Sequence, residues 1–197
     1  MGYRELLEHC EGLRLHIRRN AVRDKVLELT AVPQVRVVAT GMNHERCRGY
    51  YLSARNGKHR LVQQLGTHLI VLARGLPKDW ERFVFTKELM HMFSDPLEAT
   101  DTGGAFEKVL TEFGPRKPGA TYSAQMLAEI RCFWMSLAVL CPENHRTYFN
   151  TEREAGRIDD YAIAIQLQIP QQYVQHLFRK DWAEIIHDLL GDDSSGD

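Results

Sequence analysis

The chain has 197 residues, of which 44% are hydrophobic and 26% charged, and its 25 basic and 26 acidic residues give a formal net charge of −1. That length suffices for one sizeable core, and the charge balance excludes a general attraction to nucleic acid or to an anionic membrane. The longest apolar run, FWMSLAVLC at 133–141, is about half of the roughly 20 residues that span a bilayer, so it predicts a buried helix and no membrane segment.

The cysteines are widely spaced and form no CxxC pair, which argues against a thiolate zinc site or a redox motif. They are Cys10, Cys47, Cys132 and Cys141. A chain with this much potential core also needs no disulfide framework. We therefore expect reduced, mostly buried thiols in a cytoplasmic protein, in keeping with a first segment, MGYRELLEHC, that lacks the apolar region of a signal peptide.

The first part of the chain is predicted to be helical and the next part extended. Apolar residues at helical spacing over 3–29 predict one helix, or two that break near Gly12. Three short runs rich in β-branched or aromatic residues then predict a small antiparallel or mixed sheet. They are VRVVAT (35–40), GYYLSA (49–54) and HLIVLA (68–73), and Asn56-Gly57 predicts a turn between the last two.

From Pro77 onward the apolar spacing becomes helical. Ser123 is predicted to cap a long apolar helix that runs to about Leu140 and stops before Pro142. A polar stretch over 143–158 separates it from a helix pair with a turn at Ile169-Pro170. The other predicted helices cover 78–92, 104–113 and 182–190.

These elements predict an α+β fold, a small β-sheet packed with several helices. We expect a single domain over 1–190, followed by a disordered acidic tail over 191–197. Within that domain we distinguish an N-terminal helical region (1–32), a core (33–142) and a C-terminal helical region (143–190).

The stretch KELMH, which begins at Lys87, has the form of the zinc-peptidase motif HExxH with Lys in place of the first His. In that motif the two His side chains share a helix face and bind zinc, while the Glu is the general base for the zinc-bound water. Glu88 and His91 stand at the base and second-ligand positions. Glu-x-x-His alone is common by chance, so its surroundings must carry the interpretation.

The surroundings resemble the ImmA/IrrE family of metallo-endopeptidases. That family follows a strand and a short loop with a helix of the form R-F-x-x-x-H-E-x-x-H, and Arg82-Phe83 stand at its Arg-Phe positions. The family places a third ligand Glu on a later helix, with a Phe four residues on. The segment EIRCFWMSLAVLCP is similar, with Glu129 and Phe133, although its Pro stands about two residues later than usual. The resemblance covers about residues 35–180.

This resemblance implies a zincin-like metallopeptidase core over 33–142, with zinc bound by two His and one Glu and a peptide substrate hydrolysed by an activated water. Asp159 competes for the third-ligand position because its spacing to Pro170 also fits. Its flanking residues fit the pattern less well, so Glu129 is preferred.

Lys87 argues against carrying that chemistry over intact. Lysine is normally a cation and repels a divalent metal, whereas its ammonium can occupy the zinc position and pair with Glu88 or Glu129. We therefore expect a catalytically altered or inactive pseudo-peptidase without a cofactor. It would act through a protein partner, such as a transcriptional regulator. Zinc bound by His91 and Glu129 is the alternative.

Two other hypotheses stay open, so the sequence does not decide whether the chain is an enzyme. In the first, a hydrolase uses Lys87, Glu88 and His91 for acid–base chemistry, or a metal site is rescued by another histidine such as His68. In the second, residues 160–179 bind DNA as a helix-turn-helix. This segment has no Lys or Arg before Arg179-Lys180, which argues against a nucleic-acid partner.

Overall fold

The computed structural model describes residues 2–57, 59–95 and 121–191. The helix predicted over 104–113 and all but the first residue of the predicted tail lie outside these ranges. The described residues form an α+β arrangement of helices around a three-stranded sheet, in agreement with the predicted class.

The N-terminal region forms two helices, α1 (Gly2–Glu11) and α2 (Arg19–Thr30). Of the two predicted alternatives, the structure thus has two helices that break near Gly12. Leu6 of α1 and Val26 of α2 are fully buried in one apolar cluster with the helix that carries the KELMH stretch. The two N-terminal helices therefore cover one side of that helix.

The sheet contains β1 (Val35–Thr40), β2 (Gly49–Leu52) and β3 (His68–Ala73) in the order β1-β3-β2. Strand β3 pairs in parallel with β1 and antiparallel with β2, so the predicted small mixed sheet is confirmed. After its first residue, β3 is buried throughout, as expected of a central strand that reads as a continuous apolar run.

Helix α3 (Arg60–Leu65) lies between β2 and β3, and the sequence analysis missed it. The predicted turn at Asn56-Gly57 is present, but the chain then enters this helix before it reaches β3. The His59 side chain caps its first turn by accepting a hydrogen bond from the Leu61 amide, and Gly66 ends it with a left-handed φ of 62°.

Helix α4 (Lys78–Met90) follows β3, continues as a short 3-10 turn (His91–Phe93), and lies against the sheet and against α5 (Ala124–Leu140). The predicted Ser123 cap is confirmed, because its side chain accepts a hydrogen bond from the Met126 amide at 3.1 Å. Helices α4 and α5 together form the centre of the molecule.

The remaining chain is helical: α6 (Glu143–Glu154), α7 (Asp160–Leu167), α8 (Gln171–Leu177) and α9 (Trp182–Gly191). The helix pair with its turn at Ile169-Pro170 is confirmed. Most of the stretch expected to be a polar link is helix α6, which buries only Phe149 and therefore has too narrow an apolar face to stand out in sequence.

Within the described ranges no single helix is long and apolar enough to cross a membrane. Only α5 and α6 taken together reach that length and composition, and they are bent by 79°.

At Gly49, strand β2 packs so closely on α4 that there is no space for a side chain. A Cβ at this position would lie 2.6 Å from Val84 Cγ1 and 2.8 Å from the Val71 carbonyl oxygen. We expect Gly49→Ala to lower the free energy of unfolding by about 1–3 kcal/mol in urea titrations, because overpacking forces β2 away from α4. The control is Gly57→Ala, whose Cβ would meet nothing within 4 Å. If both variants lose the same free energy of unfolding, overpacking between β2 and α4 is not the cause.

Candidate functional site

Helices α4 and α5 bring together the four residues named as site candidates. Lys87 and Glu88 lie in the last turn of α4, His91 follows its end, and Glu129 faces them from α5. The Lys87 Nζ donates hydrogen bonds to Glu88 Oε1 at 2.7 Å and to Glu129 Oε2 at 2.5 Å. The ammonium thus links two carboxylates and joins the two helices.

His91 completes this arrangement from the other side. Its Nε2 lies 3.3 Å from Glu129 Oε1 and 3.6 Å from Glu88 Oε2. Each carboxylate therefore faces Lys87 with one oxygen and His91 with the other, and the four side chains form a closed ring, hereafter the four-residue ring. Its members are 2–18% exposed, with Glu88 and His91 the most buried.

Electrostatics keep Lys87 and Glu129 charged. Burial disfavours the Lys87 ammonium, but Glu129 and Glu88 outweigh that effect and raise the pKa of Lys87 above its ordinary value. Burial likewise favours a neutral Glu129, but Lys87 and His91 hold the pKa of this carboxyl well below its usual range. The pair is therefore an ammonium and a carboxylate at neutral pH.

The other two members respond differently. Burial raises the pKa of Glu88, and Lys87 offsets only part of that shift. Burial opposes protonation of His91, but Cys132 and Glu129 outweigh it and raise the pKa of the imidazole above its ordinary value. Protonation of His91 would balance the second carboxylate, so the ring tends toward electrical neutrality.

The ring does not fit a zinc ion as it stands. The donor types would suit zinc, since the ring offers one imidazole and two carboxylates. However, the Lys87 ammonium lies within 2.7 Å of an oxygen on each carboxylate, where it would repel a divalent cation. Among the described residues, no group of three or more His, Cys, Asp or Glu side chains is arranged to hold a metal ion.

Asp159 and His68, the two other candidate metal ligands, contact other groups in the structure. Asp159 is exposed and caps α7, where its Oδ1 accepts a hydrogen bond from the Ala162 amide at 2.8 Å. His68 Nδ1 lies 2.5 Å from the Tyr51 hydroxyl. The structure therefore places Glu129, and not Asp159, opposite His91.

Tyr51 of β2 belongs to the site and was missed in the sequence. Its ring stacks near-parallel to that of His91, at a centroid distance of 6.2 Å, and to that of His68, at 5.8 Å. Tyr50 and Tyr51 are adjacent in the sequence, and strand alternation points them to opposite faces. Only the pairing register of β2 decides which of the two approaches His91.

A cleft of about 490 Å³ opens over the ring. Lys87, Glu88 and Glu129 line it, and Arg46 and Arg48 contribute from the segment before β2. The aromatic residues that line it are Tyr50, Trp80, Phe83, Phe133, Trp134 and Tyr173. The sequence predicted that the run 133–141 is core, but its first two residues are only partly buried and belong to this cleft.

Arg82, which matched the resemblance, has a structural role. Its guanidinium donates to the carbonyl oxygens of Leu167 at 2.6 Å and Gln168 at 3.1 Å, and also to that of Ile17. Burial lowers the pKa of Arg82 to about 10. This side chain ties α4 to the end of α7 and to the segment before α2.

The proposed DNA-binding helix pair packs on the cleft. Tyr173 and His176 of α8 contact the Phe133 ring edge-on, at centroid distances of 5.1 and 5.4 Å. Arg179, one of the two basic residues in question, pairs with Asp181 at 2.5 Å. This packing gives the segment a structural role in the wall of the cleft.

No protein-family model matches the chain, and neither the curated proteins nor the solved structures include a significant match. The helices and the mixed sheet show the α+β class, and the zincin-like core stays a prediction.

The buried charge of Lys87 predicts a large effect on stability. Lys87→Met leaves two buried carboxylates without their ammonium, so we expect the free energy of unfolding to fall by about 3–5 kcal/mol. Chemical denaturation measures this loss. Lys180→Met, at an exposed position, is the control and should change little. The double variant Lys87→Met/Glu129→Gln removes one charge of each sign, so it should recover part of the lost free energy of unfolding. A loss below about 1 kcal/mol in Lys87→Met would show that the ring is well solvated.

The lowered pKa of Glu129 predicts that the protein loses stability in acid. The folded-state pKa of this carboxyl lies below its unfolded value of about 4.3, so its contribution is complete above that pH and is lost as the pH falls toward the folded-state pKa. We expect the wild-type free energy of unfolding to drop over this acid range, and to drop less in Glu129→Gln. Denaturant titrations at several pH values measure the difference. Glu184→Gln, exposed on α9, should keep the wild-type profile.

Proposed function

We propose that this chain is a metal-independent pseudo-peptidase, which keeps the helix pair of a zinc endopeptidase and uses it to bind a protein partner. The observation that carries this proposal is the position of the Lys87 ammonium, hydrogen-bonded to Glu88 and to Glu129. The positive charge that the resemblance assigns to zinc is supplied here by the chain itself.

The state of Glu88 supports a role without hydrolysis. As a general base, this carboxylate must reach a water molecule beside the scissile carbonyl. Its side chain is only 2% exposed, and its oxygens face Lys87 at 2.7 Å and His91 at 3.6 Å. One oxygen is therefore hydrogen-bonded to Lys87 and the other lies beside His91, beyond hydrogen-bond distance, so the side chain that would activate water has little access to it.

The hydrolase that would use Lys87 as a base receives less support. A general base works best with a pKa near the operating pH, which for lysine requires a strong downward shift. The two carboxylates shift the pKa of Lys87 upward instead. An ammonium has no lone pair with which to accept a proton.

The cleft supports binding as the retained activity. It is large enough to hold one or two side chains, and it combines apolar walls with a few charged groups, which is the usual composition of a binding site. The resemblance to a family that processes transcriptional regulators makes such a regulator our proposed partner.

Metal binding by Lys87→His tests the proposal. The substitution places an imidazole four residues before His91, on the same helix face, and removes the ammonium. We expect the wild-type protein to purify without stoichiometric zinc, and the variant to bind about one zinc per chain in titrations followed by elemental analysis. Its affinity should exceed that of the wild type by orders of magnitude.

The double variant Lys87→His/Glu129→Gln is the matched control and should lose most of the gained affinity. Stoichiometric zinc in the wild-type protein would overturn the pseudo-peptidase proposal. A Lys87→His variant that folds but binds no zinc would overturn the relation to zinc peptidases, since His91 and Glu129 would then not be placed as ligands.

A further inference from the structure

The cleft has walls that are already in place for a ligand. Phe133 and Tyr173 meet edge-on at 5.1 Å between centroids, and Tyr173 meets Trp80 in the same way at 5.3 Å. These rings are only partly buried, although they hold one another in position. Partly exposed aromatic rings grouped around a concave surface are typical of a binding site.

Arg48 stands at the rim of this cleft in a fixed position. Its backbone carbonyl accepts a hydrogen bond from the Ala73 amide at 2.9 Å, which anchors it to the end of β3. Its guanidinium lies 3.9 Å from the centroid of the Trp80 ring. Stacking of this kind orients the planar group while its N–H donors stay available at the edge.

The charge of the rim is unbalanced. Among the residues that the structure describes, no carboxylate pairs with Arg46 or Arg48. The carboxylates that line the cleft, Glu88 and Glu129, are both bonded to Lys87. In the described ranges, the cleft is therefore lined by two arginines without a carboxylate partner, whereas its acidic groups are hydrogen-bonded to Lys87.

Strand β2 indicates that the occupant is a peptide. Gly49 and Tyr50 of this strand line the cleft. In the described part of the chain, β2 pairs only with β3 and is thus an edge strand, and an edge strand beside a cleft is a common binding place for an extended peptide.

We propose that the cleft binds an extended peptide segment of a protein partner, in which a bulky aromatic side chain is followed by an acidic residue. The aromatic side chain packs on the surface that Trp80, Phe133 and Tyr173 present to the cleft, and the carboxylate pairs with Arg48 beside them. Charge complementarity selects the acidic residue, because Arg48, which pairs with no carboxylate among the described residues, lies directly over the Trp80 ring. This inference rests on the proposed binding function and specifies its ligand.

Fluorescence anisotropy with labelled synthetic peptides tests the proposal. The peptides share a Gly-Ser background, blocked termini and equal length, and differ only in a central pair: Phe-Asp, Phe-Asn or Ala-Asp. We expect Phe-Asp to bind about tenfold more tightly than Phe-Asn, as one charge-assisted hydrogen bond predicts, and more tightly than Ala-Asp. The preference for Asp over Asn should shrink at high salt.

Two variants of equal charge change provide the matched comparison. Arg48→Gln should abolish the preference for Asp over Asn and keep the preference for Phe over Ala. Arg36→Gln, at an exposed position on β1, should keep both preferences. Equal effects of the two substitutions would overturn the assignment of the carboxylate to Arg48. If Arg48→Gln does not fold, the wild-type salt series still decides whether the Asp preference is electrostatic.

The failures of the two proposals can be told apart. Equal affinity for Phe-Asp and Phe-Asn, equal affinity for Phe-Asp and Ala-Asp, or no binding up to about 1 mM would overturn the peptide inference and leave the zinc results untouched. Mass spectrometry of the peptides after incubation should find them intact. Cleavage of the Phe-Asp peptide by the wild-type protein would overturn the non-hydrolytic function and leave the recognition standing.

Discussion

The four-residue ring is the interaction on which the centre of this molecule depends. Besides their apolar contacts, helices α4 and α5 meet through four polar side chains that are only 2–18% exposed, and such groups destabilise a protein unless they find partners. Each ring carboxylate meets Lys87 with one oxygen and His91 with the other. The ring thereby sets how α4 faces α5, and with it the floor of the cleft.

Helix α4 can carry this ring because other contacts hold it on both sides. Val84 packs against Gly49 on the sheet, with no room for a side chain on the strand. Arg82 binds backbone carbonyl groups at the end of α7 and before α2. The ring residues and the structural ones therefore lie on the same helix, with Arg82 and Val84 before Lys87 and Glu88.

Much of the architecture could be predicted because it follows from local patterns. The β-branched runs, the Ser123 cap and the proline stops each act over a few residues, and they located the sheet, α5 and the last helix pair. Helices α3 and α6 were missed for physical reasons. The first is short and follows a turn that also suits a hairpin, and the second has a narrow apolar face.

The site could be predicted only in part. The ring residues were named by resemblance: KELMH resembles a zinc-peptidase motif and gave Lys87, Glu88 and His91, and the resemblance to the family's later helix gave Glu129. The register of β2 on β3 places Tyr51, and a hydrogen bond to the end of β3 places Arg48. Neither of these long-range pairings can be read from a local sequence pattern. Phe133 and Trp134 were assigned to the core because an apolar helix gives no indication of which face opens to a cleft.

The position of Lys87 near the end of α4 has a consequence for how the site depends on its surroundings. The carboxyl end of a helix carries a partial negative charge, which favours a cation there, whatever that cation is. A bound ion occupies such a position only in proportion to its free concentration. The Lys87 ammonium is covalently attached to the chain, so mass action cannot remove it, and neither chelation nor metal scarcity empties the site.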